Sequence, residues 1–385
     1  MGMFLMVVSL CFFFFNPWKA LSSIDDTSSW LSIDCGASTE SFDDDLLTWE
    51  TDDEYIFTGM NIDVSHSQTR KEMNTLRFFP AGKGNCYVLP WSSEDKVLLR
   101  AGFYYGNYDS LSKPPTFDLQ FDGFRWATVV TTSGEDPIYH EAVYTPKKAV
   151  INVCLINTGN GVPFISSLEV TPWPSDLYRF MTGNLGFYLR SRTNFGADED
   201  IRYGLISGDI YNRIWKAKGM ENYTNVSTFS FNKVKAENDP PSEVLDRAIE
   251  APEASASISL LMDLPRESQT AYIILYFMSF ERSLNASDVC KFAIYIDGRP
   301  DNRTVELKDG ICQVASFYPV SVTGPTSVTL SPVEGSTLPP LVNAMEVYTA
   351  TGLDNGSGDV SSSCHGWLFF FRLLVAVLIG VTVFE

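Results

Sequence analysis

Histidine is scarce in this 385-residue chain, which contains only His66, His140 and His365. The sequence also has no G-x-S-x-G and no H-E-x-x-H pattern, so it lacks the local signatures of a serine hydrolase of that type and of a zinc protease. The paired carboxylates of a glycoside hydrolase lie far apart in a chain, and this class stays open as an alternative. We therefore expect a non-enzymatic protein without a metal site or cofactor.

Positive charge is also in short supply, with 28 Lys and Arg against 47 Asp and Glu and a formal net charge of −19. Nucleic acids and anionic membrane surfaces require clustered Lys and Arg, so neither is an expected partner. Acidic runs at 43–45, 52–54 and 198–200 do not have the converging oxygen ligands of a calcium site, and we expect them to be solvated. Length and composition indicate a folded protein of about two domains.

Long helical periodicity is nearly absent, and short strand-like runs rich in β-branched and aromatic residues take its place. Examples are Ala271-Tyr-Ile-Ile-Leu-Tyr-Phe277 and Phe117-Asp-Leu-Gln-Phe121. Turn clusters such as Gly82-Lys-Gly84 and Asp122-Gly123 bound these runs. This pattern predicts an all-β protein built from sandwiches.

Two landmarks recur at an offset of about 175 residues. The run Phe117-Asp-Leu-Gln-Phe-Asp-Gly123 returns in outline as Phe292-Ala-Ile-Tyr-Ile-Asp-Gly298. The later run starting at Pro163 returns from Pro340. Two matches in one order predict a duplicated domain, with a boundary near residues 171–175, where Pro172 and Pro174 break regular structure.

The first residues form a short apolar run followed by small residues, which predicts a secretory signal peptide at 1–22; an uncleaved anchor is the alternative. Five N-glycosylation sequons agree with passage through the secretory pathway. The acceptor residues are Asn222, Asn225, Asn285, Asn302 and Asn355.

The C-terminal end predicts membrane attachment. A polar linker at 350–366 precedes an apolar segment at 367–384 that is interrupted by Arg372. Small residues, a polar spacer and a terminal hydrophobic tail are typical of a GPI-attachment signal. A single-pass transmembrane helix is the alternative.

The cysteines predict at least one disulfide in an oxidising compartment, although spacing does not fix the connectivity. Cys290 and Cys312 are candidates for a pair because only one loop separates them. Among Cys35, Cys86 and Cys154, one is left over as a buried thiol.

The landmarks are also where the chain resembles the malectin-like extracellular domains of plant receptor-like kinases. The matching runs extend from about Leu31 to Thr349. They include Ser32-Ile-Asp-Cys-Gly36, Leu76-Arg-Phe-Phe-Pro80, Gly106-Asn-Tyr-Asp109, Ile151-Asn-Val-Cys-Leu-Ile-Asn-Thr-Gly159, Tyr211-x-Arg-Ile-Trp215 and Leu338-Pro-Pro-Leu-x-Asn-Ala-x-Glu346. The chain differs from the receptors in having neither leucine-rich repeats nor a kinase.

The resemblance implies two tandem malectin-like (jelly-roll-like) β-sandwiches, at 31–173 and 176–349. It also implies a receptor-like role in plants at the outer surface of the plasma membrane, with the endoplasmic reticulum membrane as the alternative location. The family implies binding of an oligosaccharide or cell-wall glycan. The rival hypothesis is a co-receptor that binds a secreted peptide or a receptor kinase between the two modules.

One loop offers candidate ligand-binding residues of the first module. Sugar recognition requires aromatic faces together with amides or carboxylates, and a turn after a predicted strand supplies both kinds. The opposing interpretation is that the rings pack in the core and the polar residues shape the turn. These residues are Tyr104, Tyr105, Asn107, Tyr108 and Asp109. We expect Trp49, Trp91, Trp126, Trp173 and Trp215 to be core residues rather than a sugar platform.

Overall fold

The computed structural model describes residues 30–43, 47–64, 68–134, 136–204, 208–228, 234–279, 288–308 and 310–353. The predicted signal peptide at 1–22, the predicted anchor at 367–384 and the linker beyond residue 353 lie outside these residues. The sequon residues Asn285 and Asn355 and the histidines His66 and His365 also lie outside them.

Nearly all regular structure is β-strand. The strands of the first half are β1 (Leu31–Asp34), β2 (Ser41–Phe42), β3 (Thr48–Thr51), β4 (Met60–Asp63), β5 (Thr75–Phe78), β6 (Gly84–Pro90), β7 (Lys96–Phe103), β8 (Thr116–Phe121), β9 (Phe124–Val130), β10 (Ile138–Tyr144), β11 (Val150–Asn160), β12 (Phe164–Ile165) and β13 (Ser167–Trp173). Those of the second half are β14 (Leu185–Phe195), β15 (Lys216–Lys218), β16 (Thr224–Ser227), β17 (Arg247–Glu250), β18 (Ile258–Met262), β19 (Gln269–Met278), β20 (Lys291–Ile296), β21 (Arg299–Glu306), β22 (Cys312–Val322), β23 (Thr326–Pro332), β24 (Leu341–Val342) and β25 (Ala344–Gly352). A 3₁₀ turn (Lys71–Met73) and a one-turn helix, α1 (Ser242–Leu245), complete the described elements.

One eleven-stranded sheet runs through both halves of the molecule, in the order β2-β3-β1-β13-β7-β10-β14-β25-β19-β22, with β15 beside β14. The halves join where Ala142 of β10 pairs with Tyr188 of β14 and Val143 pairs with Phe187. The sequence predicts two sandwiches but gives no sign of this shared sheet. The joint is short, so side-chain contacts must contribute to holding the halves together.

Each half of the central sheet packs against its own four-stranded sheet, β6-β11-β8-β9 in the first half and β18-β23-β20-β21 in the second. The strand-like run at 117–121 forms β8, in which Phe117, Leu119 and Phe121 are fully buried and their neighbours are not. In β19 both faces are buried, which explains its continuous apolar run. The all-β fold of two tandem sandwiches is confirmed.

The repeated Asp-Gly landmarks occupy equivalent places in the two sandwiches. Asp122 and Gly123 turn the β8–β9 hairpin with φ values of 47° and 86°, and Asp297 and Gly298 turn the β20–β21 hairpin with 47° and 71°. Two positive φ values in a two-residue turn favour Asp-Gly. Each aspartate also accepts a hydrogen bond from the neighbouring strand of its sheet. Asp122 accepts from the Asn152 N–H of β11 at 2.9 Å, and Asp297 accepts from the Ser327 N–H of β23 at 2.7 Å.

Pro172 does not break the chain as expected, because β13 continues through it to Trp173. At this point β13 has passed the end of β1 and pairs with β7 alone, so a proline without an N–H is tolerated. The division into 31–173 and 176–349 stays a prediction. The expectation that the five tryptophans are core residues is confirmed, since each is at most 6% exposed.

Candidate binding site at the junction of the sandwiches

A buried ion-pair network crosses the junction between the two sandwiches. Arg100 of β7 contacts Glu141 of β10 and Glu169 of β13, each at 2.9 Å. Arg192 of β14 contacts the other carboxylate oxygen of Glu141 at 2.8 Å and Glu346 of β25 at 2.8 Å. Glu141 therefore bridges an arginine of the first half to an arginine of the second.

The segment that carries the Tyr211-x-Arg-Ile-Trp215 motif completes this network. The Asn212 side chain donates to Glu169 at 2.7 Å. Arg213 and Trp215 both donate to Asp209, at 2.7 and 2.6 Å. The motif thus has a structural role, because it supplies hydrogen-bond partners to groups that would otherwise be buried and unsatisfied.

Two carboxylates of the network, Glu346 and Glu141, are held in their charged form. Burial by itself raises the pKa of Glu346, but the guanidiniums of Arg192 and Arg213 more than offset this and lower it from its ordinary value. Arg192 and Arg100 have the same effect on Glu141. Because each of these carboxylates is committed to arginine partners, the network fits a role in fixing the junction rather than in proton transfer.

An open polar pocket lies beside this network, between the first half of the chain and the segment that follows β14. Its volume is about 280 Å³. Four separate segments of the chain supply its walls. The lining residues are Gln68, Thr69, Arg70, Asp136, Pro137, Tyr139, Asp200, Arg202 and Lys216.

Two of the three cations in the pocket already have carboxylate partners. Lys216 contacts Asp200 at 2.7 Å, and Arg70 lies 3.7 Å from the buried Glu72. Arg202 instead lies over the Tyr139 ring, with its Cζ 5.0 Å from the ring centroid. The Arg202 charge acts on the nearby carboxylates of Asp200 and Glu72, but among the described residues no carboxylate lies within ion-pair distance of it. Its guanidinium is therefore a donor group that a ligand can engage.

The loop predicted to bind sugar is built differently from a binding platform. Tyr104, Tyr105 and Tyr108 are buried, at 4%, 2% and 8% exposure. The Tyr105 hydroxyl donates to the Asp109 carboxylate at 2.5 Å, and the Asn107 side-chain oxygen accepts from the Ser112 N–H at 2.8 Å. The rings pack in the core and the polar side chains shape the turn. Ligand binding by this loop stays a prediction.

The disulfide of the described residues joins Cys86 of β6 to Cys154 of β11. The expected Cys290–Cys312 pair is wrong in this structure. Cys290 belongs to the core of the second sandwich, and its thiol lies 3.1 Å from the Pro339 carbonyl. Cys312 packs in the cluster on the opposite face of the central sheet, so the sheet separates the two thiols. Cys35 is the buried thiol left over from the first three cysteines.

The remaining sequence predictions concern glycosylation and metals. Asn222 and Asn225 are exposed, as glycan acceptors must be, and Asn302 lies in β21; glycosylation at the five sequons stays a prediction. Within the described ranges no group of three or more His, Cys, Asp or Glu side chains is arranged to hold a metal ion. The run at 52–54 is not simply solvated, because Asp52 is fully buried and binds Arg77 at 2.6 Å.

His140 is the histidine that the structure describes. Burial, with a further contribution from Arg190, lowers its pKa to about 4. It is therefore neutral at physiological pH.

No helix in the described part of the chain is long and apolar enough to span a membrane.

Sequence reasoning missed the junction pocket; of its residues only Asp200 had been noted, as part of the acidic run at 198–200 that we expected to be solvated. Arg70, Asp136 and Arg202 come from separate loops, and no local pattern marks them. The sequence did offer one signal, since the rival hypothesis already placed a ligand between the modules.

Two tandem β-sandwiches that share one central sheet make the described part of the chain similar to the extracellular domains of malectin-like proteins. The chain belongs to the malectin-like domain family, whose model matches residues 33–350. It is 34% identical over 338 residues to an uncharacterized protein of Arabidopsis thaliana, covering 86% of this chain and 66% of that one. It is 28% identical over 351 residues to the leucine-rich-repeat receptor-like serine/threonine-protein kinase IOS1 of the same plant, covering 87% of this chain and 38% of the kinase.

Solved structures share the fold at low sequence identity. The ANX2 ectodomain from Arabidopsis thaliana superposes with a TM-score of 0.69 at 16% identity, covering 84% of this chain and 97% of that one. A chain in the complex of the plant peptide RALF23 with FER and LLG2 gives the same TM-score and identity, covering 84% and 96%. Among the relatives named above, this protein spans 66% of the uncharacterized Arabidopsis protein and 38% of the kinase IOS1.

Proposed function

We propose that this protein is a non-enzymatic receptor-like module outside the cell that binds a secreted peptide or a protein partner in the pocket at the junction of its two sandwiches. The observation that carries this proposal is Arg202, a half-buried arginine that lines an open pocket and lies within ion-pair distance of no carboxylate among the described residues. A backbone carbonyl or a carboxylate of a peptide is the natural acceptor for such a donor.

The surroundings of the pocket support this role. The ion pairs of Arg100, Glu141 and Arg192 lie in the same junction and fix the two halves relative to each other. A rigid frame lowers the entropic cost of binding, because the pocket walls need not be ordered when the ligand arrives. Ligand sites also occur preferentially where two domains meet.

A structural neighbour supports the class of ligand. The structure of RALF23 with FER and LLG2 contains a chain of this fold together with a peptide. Sequence identity to that chain is 16%, so neither the peptide nor the co-receptor transfers to this protein by similarity alone.

The experiment is affinity capture from intact cells with the full chain, an Arg202→Gln variant and an Arg299→Gln control. Arg299 is an exposed arginine of β21 outside the pocket. We expect a reproducible peptide or protein partner with the wild type and with Arg299→Gln, and its loss with Arg202→Gln. Capture that survives Arg202→Gln contradicts the pocket. Capture that disappears when glycans are removed enzymatically favours sugar recognition.

Carbohydrate binding through the loop at 104–109 is the second candidate. The specific observation in its favour is that Asn107 and Asp109 remain partly exposed beside three tyrosine rings. Its weakness is that the ring faces are buried, so stacking requires the loop to open. Glycan-array screening and calorimetric titration test this candidate, and the absence of saturable sugar binding would contradict it.

We also propose attachment at the outer surface of the plasma membrane, through either a GPI anchor or a transmembrane helix formed by 367–384. Support comes from the sequence and from the relatives that are receptor-like kinases. Phospholipase treatment of intact cells distinguishes the two, since release indicates a GPI anchor and retention indicates a helix.

A further inference from the structure

Phe57 is the most exposed large apolar side chain among the described residues, at 90% exposure. It lies in the Phe57 loop, residues 52–60, which connects β3 to β4. Met60, at the other end of this loop, is also exposed, at 57%. Covering these two side chains with a second molecule would be favourable, because it would remove apolar area from water.

The Phe57 loop is built to hold this ring in place. The buried Asp52 carboxylate receives two hydrogen bonds from Arg77, at 2.6 and 2.7 Å, and one from the Tyr87 hydroxyl at 2.9 Å. Arg77 also donates to the Thr58 carbonyl at 3.1 Å. The same guanidinium therefore fixes both arms of the loop.

Packing adds a second restraint on each side of Phe57. Ile56 is buried in the core of the first sandwich. Gly59 has φ +88° and lies so close to the Phe79 ring that an added Cβ would come within 2.7 Å of it. Because its neighbours are anchored, Phe57 is presented outward on a preformed loop, and binding through it orders little additional backbone.

The surface around Phe57 is acidic. Glu54 is exposed within the loop, and Asp63 is exposed at the end of β4. Asp53 is exposed as well and contacts Arg77 at 2.9 Å, but Arg77 is already paired with Asp52, so the loop keeps an excess of negative charge. The whole chain, these groups included, carries a net charge of −19. An apolar anchor inside an acidic rim complements an apolar socket with a basic rim. It repels a second copy of this chain and an anionic lipid surface.

We infer that the Phe57 loop is a protein-docking surface whose partner inserts Phe57 into an apolar socket bordered by Lys and Arg. Central aromatic anchors carry a large share of the binding energy in protein interfaces, and polar rims exclude water around them. None of the residues lining the junction pocket belongs to this loop. The surface is therefore separate from the proposed peptide site, and the two proposals can be tested independently.

Site-specific photo-crosslinking on intact cells tests this surface. A benzophenone amino acid replaces Phe57 in the full chain, and in the control it replaces Leu261, an exposed residue of β18 at 69% exposure. We expect a cross-linked protein at position 57 only, with an attachment site among apolar residues flanked by Lys or Arg. We expect the yield to fall with added salt because the rim contacts are ionic.

Competition provides the matched variants. Unlabelled Leu261→Ser protein is expected to suppress the cross-link as well as unlabelled wild type does. Unlabelled Phe57→Ser protein should need about a 30-fold higher concentration to give the same suppression. Both substitutions replace exposed side chains, so neither is expected to impair folding. Equal competition by the two variants overturns the proposal. So does an absent cross-link, or one to lipid, to a second copy of this chain or to an acidic segment.

Discussion

Arg192 and Glu346 are directly opposed on β14 and β25, and their side chains meet at 2.8 Å with neither exposed to solvent. Arg192 also reaches Glu141 on β10, the last strand of the first half of the sheet. The backbone joint between β10 and β14 comprises two residue pairs. The side-chain network is therefore a main support of the junction that frames the pocket.

Removing Arg192 should be severely destabilising. Arg192→Met leaves Glu141 and Glu346 buried with a cation lost from each, and breaking such a pair costs about 3–5 kcal/mol. The matched control is Lys291→Met, whose partly exposed pair with Glu306 at 3.9 Å is worth at most about 1 kcal/mol. Chemical denaturation measures both. Similar losses for the two variants would contradict a stabilising role for the buried network.

The duplication predicts that Gly36 and Gly196 are equally intolerant of a side chain. Their φ values are +83° and +73°, and an added Cβ comes within 2.3 Å of the Leu76 carbonyl in one sandwich and of the Ala248 carbonyl in the other. We expect Gly36→Ala and Gly196→Ala each to lower the free energy of unfolding by at least about 2 kcal/mol.

Gly298→Ala is the control for these glycines, because its φ is +71° but nothing lies within 4 Å of the added Cβ. Its cost should be the backbone contribution alone, about 1 kcal/mol. If all three variants lose the same stability, close backbone approach is not what selects glycine at positions 36 and 196.

The disulfide between Cys86 and Cys154 spans 68 residues. Replacing both cysteines with serine should cost about 2–4 kcal/mol, because the cross-link restricts the unfolded chain. Peptide mapping without reduction should yield a fragment that joins residues 86 and 154. A fragment that joins residues 290 and 312 would overturn the arrangement of the second sandwich.

Asp34 makes stability depend on pH near neutrality. Burial, together with the nearby Glu72 and Asp52 carboxylates, raises its pKa to about 7, although the hydrogen bond from Thr75 opposes this shift. The folded protein therefore retains a proton that the unfolded chain releases near pH 3.8. The stability contributed by protonated Asp34 is fully present below that value and is lost as pH rises through 7.

The Asp34→Asn variant isolates this contribution. Asparagine keeps an oxygen to accept from Thr75 and carries no charge, so the variant should be more stable than wild type at pH 8 and similar near pH 4. The difference should be of the order of 2–4 kcal/mol. Denaturation curves that shift with pH in parallel for the two proteins would rule out this role of Asp34.

More of the fold than of the candidate site could be predicted from the sequence. Alternating strands and the repeated Asp-Gly turns are local signals, so the two sandwiches follow from the sequence. The shared sheet does not, because the pairing of Val143 with Phe187 depends on how two modules dock. The tyrosines at 104, 105 and 108 are buried although their composition also suits a sugar platform, because residue type does not reveal which face a loop presents. Arg202 could not be singled out, since its pocket forms only when distant loops meet.

The most direct test of the proposed function is calorimetric titration of the full chain with the peptide or protein partner obtained by capture. We expect Arg202→Gln to weaken binding at least about tenfold through loss of a charge-assisted hydrogen bond. Arg299→Gln should leave the dissociation constant within about twofold of wild type, since surface substitutions away from a site have small effects. Equal affinity of wild type and Arg202→Gln would show that the ligand binds elsewhere and would contradict recognition in the junction pocket.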